Sequence, residues 1–62
     1  DIERAVYEAT TSTPQSVARL ATRAGYSVSR TREAVARLVG CEPPLLARVR
    51  GGGIKRVARN LA

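Results

Sequence analysis

Residues 20–38 read Leu20-Ala21-Thr22-Arg23-Ala24-Gly25-Tyr26-Ser27-Val28-Ser29-Arg30-Thr31-Arg32-Glu33-Ala34-Val35-Ala36-Arg37-Leu38. Leu20, Ala21 and Ala24 continue from Val17 at helical spacing and make one apolar stripe. Gly25 stands where a helix end favours a left-handed residue. Two positions later Ser27 is placed to cap a further helix. Its inward stripe is Thr31, Ala34, Val35 and Leu38, with Val28 at the edge and Gly40 at the end. Two helices therefore meet across a joint of only Tyr26 and Ser27. The small Ala21 leaves room for the two helices to approach closely.

Upstream, Thr13-Pro14 predicts the start of the second helix, a capping hydroxyl followed by proline at the first helical position. The helix expected from there to Gly25 is about 11 residues long, near the globular mean. Before it, Ile2, Ala5, Val6 and Ala9 form the stripe of a first helix, capped by Asp1, and Thr10, Thr11, Ser12 and Thr13 break the pattern. Downstream, Pro43 and Pro44 forbid continuation of the third helix. Two runs, residues 45–50 and 54–59, then flank Gly51, Gly52 and Gly53 and predict a β-hairpin. Alternation in the first run places Ala47 and Val49 on one face and Leu46, Arg48 and Arg50 on the other. The fold class expected is mainly α with a small β-hairpin, in one domain spanning residues 1–62.

The layout resembles the winged helix-turn-helix family. The likeness is carried by the small Ala21, the turn residue Gly25 four positions later, the capping Ser27, and Ala34, Val35 and Leu38 closing the third helix. It departs at Thr31, where valine or isoleucine is usual, and at Cys41-Glu42-Pro43-Pro44, which stretches the connection to the first strand. The apolar stripes alone fit a plain three-helix bundle with a hairpin appended. Gly25-Tyr26 followed by an arginine- and alanine-rich helix is also similar to the recognition domain that ends septal and conjugative DNA translocases. What the resemblance implies is binding of double-stranded DNA, as part of a transcription regulator or of a translocase.

Composition bears on the same question. The 62 residues carry a formal charge of +6, with eleven basic residues against five acidic ones. Residues 1–14 hold Asp1, Glu3, Arg4 and Glu8, a local net of −2, whereas residues 15–62 are net +8. Such segregation points to a basic face turned toward a polyanion. The chain has no histidine and one cysteine, Cys41, so neither the common zinc sites nor a disulfide can be built from it alone. No metal and no cofactor is expected. An enzymatic role for the domain itself is not expected either, because no nucleophile–base pair is available without histidine. Gly51-Gly52-Gly53-Ile54-Lys55 lacks the order of a phosphate-binding loop. No apolar run approaches the ~20 residues needed to span a bilayer, and no helix pairs a basic face with bulky anchors for a membrane surface. The missing initiator methionine predicts a domain excised from a larger protein, and the lone cysteine with no spanning run and no signal-peptide pattern predicts a cytoplasmic one.

On the third helix, Ser29, Glu33 and Ala36 point away from the stripe, with Arg30 and Arg37 on one flank and Arg32 on the other. A helix in the major groove reads guanine with arginine, cytosine with glutamate and a thymine methyl with alanine. Ser29, Arg30, Arg32, Glu33 and Ala36 are therefore the candidate base contacts. Glu33 fits equally an intrahelical pair with Arg30 or Arg37. Thr13, Gln15, Ser16, Arg19, Arg23 and Arg37 are candidates for the DNA backbone. Arg48, Arg50, Gly52, Lys55 and Arg56 are candidates on the wing for backbone or minor groove, although basic residues also protect an exposed strand edge. Tyr7 and Tyr26 read as packing residues. The alternative reading is a non-enzymatic winged helix that meets an acidic protein or structured RNA.

Overall fold

The computed structural model describes residues 1–57. Three helices, α1 (Ile2–Ala9), α2 (Val17–Ala24) and α3 (Val28–Gly40), are followed by strands β1 (Leu46–Arg48) and β2 (Ile54–Arg56). This is the expected class, mainly helical with a small hairpin, in the layout of a winged helix. Ala58 and Arg59, the end of the second expected strand run, lie outside the described residues.

Local chemistry sets each helix start. The Asp1 carboxylate accepts the Glu3 amide at 3.0 Å, and the Ser27 hydroxyl accepts the Arg30 amide at 3.2 Å, each satisfying an orphan donor of a first turn. Gly25 ends α2 at φ 83°, and its amide donates to Ala21 O at 2.9 Å.

The start of α2 differs from the Thr13-Pro14 expectation. Gln15 is held extended, its amide donating to Ile54 O at 2.9 Å and its carbonyl accepting the Ile54 amide at 2.7 Å. Both backbone groups of Gln15 are thus committed to the hairpin and cannot enter a helix. Thr13 is not the cap; its amide donates to Thr11 Oγ1 at 3.2 Å. Ser16 caps instead, accepting the Arg19 amide at 3.1 Å. α2 is therefore 8 residues long rather than about 11.

In the hairpin Leu46 faces Arg56, Ala47 faces Lys55 and Arg48 faces Ile54. The paired segments are shorter than the runs that predict them. Glycines at φ 92° and 89°, Gly51 and Gly52, form the turn, which the Val49 amide closes onto Gly53 O at 2.9 Å. Gly53 serves a different purpose. A Cβ there would lie 2.8 Å from Pro14 Cβ, so the wing packs on residue 14 at a distance only glycine allows. The longer connection after α3 still docks β1, because the Leu45 amide donates to Leu38 O at 3.0 Å.

Val6, Leu20, Ala34, Val35, Leu38, Leu46 and Ile54 form the core, with Ala9 at its margin. All four inward residues of α3, Thr31 included, are buried. The Thr31 hydroxyl has no hydrogen-bond partner, which leaves a polar group desolvated at a cost of about 1–3 kcal/mol. Thr31→Val is expected to raise stability by about 1 kcal/mol, which for a domain of this size lifts Tm by about 4–8 °C. Thermal unfolding of the two proteins checks this, and a lower Tm for the valine variant refutes it.

Candidate nucleic-acid interface

The exposed face of α3 follows from its buried one. With Thr31, Ala34, Val35 and Leu38 inward, Ser29, Arg30, Arg32, Glu33, Ala36 and Arg37 all reach solvent. Ser29, Arg30, Glu33 and Arg37 line one shallow cleft together with Ile2 and Ser27. This puts Arg30 and Arg37 on the α1 side of the helix, and the 100° step puts Arg32 on the other.

Among the described residues two ion pairs form, Arg4–Glu8 along α1 at 3.3 Å and Arg37–Glu3 between α3 and α1 at 3.4 Å. Arg37, expected on the DNA backbone, is thus occupied by an acid of α1. Glu33 takes neither intrahelical partner. Its carboxylate and the Arg30 and Arg32 guanidinium groups are without ion-pair partners among the described residues.

A second shallow cleft gathers the candidates Thr13, Gln15, Ser16, Arg19 and Arg23, with Pro14 among them in its lining. Arg19 and Arg23 are exposed, one turn apart on one side of α2. Thr13 and Ser16 expose their side chains as well. Gln15 is less free. Its Nε2 donates to Thr11 Oγ1 at 3.4 Å, and its half-buried side chain belongs to the extended segment bridged to β2.

The wing divides its basic residues. Arg48, Arg50 and Gly52 are exposed, and Lys55 is half-buried on the strand face opposite Ile54. Arg56 does not join them. It shares its strand face with Ile54, which is buried, so its side chain turns toward α1. Its guanidinium lies 4.4 Å from the Tyr7 ring centroid, and its Nη2 donates to Tyr7 O at 2.9 Å. The cation also sits at the C-terminal, negative end of α1, where the helix dipole favours it. Alternation alone does not single Arg56 out, because Arg48 pairs with Ile54 on the same face and stays exposed. Nothing local in the sequence marked the Glu3–Arg37 pair or the Gln15–Ile54 bridge, each of which joins distant segments.

Among the described residues no helix is long and apolar enough to cross a membrane, and no three acidic, cysteine or histidine side chains gather as a metal site. Comparisons with protein-family models, with curated proteins and with solved structures find no match for this chain.

Arg56 and Arg48 separate an internal from a surface role. Arg56→Ala is expected to cost about 1–3 kcal/mol, through loss of the cation–π contact and of a charged hydrogen bond. Arg48→Ala is expected to stay within about 0.5 kcal/mol. Urea unfolding checks both, and equal effects refute the assignment.

Proposed function

We propose that the chain binds double-stranded DNA with sequence preference, laying α3 in the major groove and the hairpin along backbone or minor groove. The observation that carries this reading is the outer face of α3, where Arg30, Arg32 and Glu33 stand exposed without ion-pair partners among the described residues. Arginines left solvated on a small basic domain are suited to guanine O6 and N7, and a free glutamate to cytosine N4. Ser29 and Ala36 beside them are small enough for close approach. Arg19, Arg23, Thr13 and Ser16 serve the phosphates on the α2 side, and Arg48, Arg50 and Lys55 serve them from the wing. Gln15 and Arg56 support these surfaces from within.

In this reading the domain is a binding module with no catalytic step of its own and works on double-stranded DNA in the cytoplasm. Direct repeats in its preferred site would fit a translocase, inverted repeats a dimeric regulator.

Selection of bound sequences from a random duplex pool tests the proposal. Arg30→Ala and Arg32→Ala are each expected to lower affinity for the selected duplex by about 1–3 kcal/mol and to relax one base position. Arg19→Ala is expected to weaken selected and random duplexes alike and to reduce the salt slope by about 1. No duplex binding at low salt, or tighter binding to a matched RNA hairpin, refutes it.

A further inference from the structure

Glu33 and Arg37 are spaced i,i+4 on α3, with the acid N-terminal to the base, the orientation in which such a pair is favoured. The pair does not form. Arg37 Nη1 instead lies 3.4 Å from Glu3 Oε2 on α1, and Glu33 has no ion pair among the described residues. The Arg37 and Glu3 side chains are 57% and 40% exposed, so neither is locked by burial. Two acids thus compete for one arginine at comparable, solvent-screened strength. The choice between them decides whether Arg37 covers the Glu33 carboxylate.

We propose that Glu3 is a positioning residue. By holding Arg37 against α1 it keeps the Glu33 carboxylate open to accept from the N4 amine of a cytosine in the major groove. The inference rests on the reading of α3 as the groove-facing helix and assigns a function to an acid outside that helix. Glu3 lies in the acidic segment and touches no base; it acts only through which partner Arg37 takes. Arg37 is accordingly a switchable neighbour rather than part of the base-reading set. The cleft lined by Ile2, Arg30, Glu33 and Arg37 is where the exchange takes place.

The test uses the 62-residue chain and the duplex it selects from a random pool. A second duplex carries the cytosine·guanine pair that depends on Glu33 changed to thymine·adenine. Glu33→Ala, which removes the acceptor, identifies that pair by losing preference there and nowhere else. Glu3→Gln is expected to weaken the cytosine preference about twofold, the factor one exposed i,i+4 pair represents. The double variant Glu3→Gln with Arg37→Ala is expected to restore it, since Arg37 can then no longer cover Glu33, while Arg30 is the same in every variant compared. A loss of helix packing alone would show no such restoration. Glu3→Ser is made alongside, and thermal melts establish that each variant is folded.

Unchanged cytosine preference in both folded Glu3 variants, or a double variant no better than Glu3→Gln, overturns the positioning role and leaves DNA binding standing. A chain that binds duplex yet shows no position sensitive to Glu33→Ala overturns it too. Failure of the unaltered chain to bind any duplex at about 50 mM salt, where phosphate attraction is strong, overturns the DNA reading and this inference with it.

Discussion

The attachment of Arg56 to the end of α1 is the interaction on which the placement of the wing depends. A two-stranded hairpin is marginal in water without something to pack on. The chain has no phenylalanine, tryptophan or methionine to supply bulk. Leu46 and Ile54 are the buried apolar side chains that the two strands give to the core. Polar contacts complete the docking. Arg56 holds Tyr7 through ring and carbonyl, its amide donates to Thr11 O at 2.8 Å, and Gln15 and Ile54 exchange two hydrogen bonds. Each joins the hairpin to a segment before α2. The wing is therefore fastened to the amino-terminal part of the chain as well as to the end of α3.

The same attachment explains what was legible in the sequence. All three helices were readable from their stripes, and the joint at Gly25 and Ser27 was readable from the glycine and the capping hydroxyl, because these are short-range signals. The inward residues of α3 follow from periodicity alone, including the misfit Thr31. The start of α2 was not readable. A threonine–proline pair is a good local start signal, but Gln15 obeys a partner 39 positions away in β2. Backbone hydrogen bonds between distant segments leave no trace in a local window. The face of α3 was legible for the same reason as its core, whereas the partner of Arg37 depends on how α1 lies across α3.

Arginine has three distinct uses in this small chain. Arg4 and Arg37 are paired with acids of α1 and soften the charge of that side. Arg56 is a fastening, stacked and hydrogen-bonded beneath the wing. Arg19, Arg23, Arg30, Arg32, Arg48 and Arg50 stay in solvent. A count of basic residues treats these alike, but among the described arginines the last group is available to an outside polyanion without giving up an ion pair or a cation–π contact. The guanidinium group suits all three uses because it is planar, permanently charged and weakly hydrated. A lysine at position 56 would keep the charge and lose the stacking geometry.

The hairpin turn separates two jobs that adjoining glycines perform. Gly53 is wedged against Pro14 and Val49, while additional atoms at Gly51 and Gly52 would meet nothing within 4 Å. The base of the wing is sterically fixed and its tip is sterically free. Composition at the tip is restricted all the same, because Gly51 and Gly52 hold φ of 92° and 89°, a backbone conformation that side chains rarely adopt. One turn is thus held in two ways, by backbone conformation at its tip and by close packing at its base.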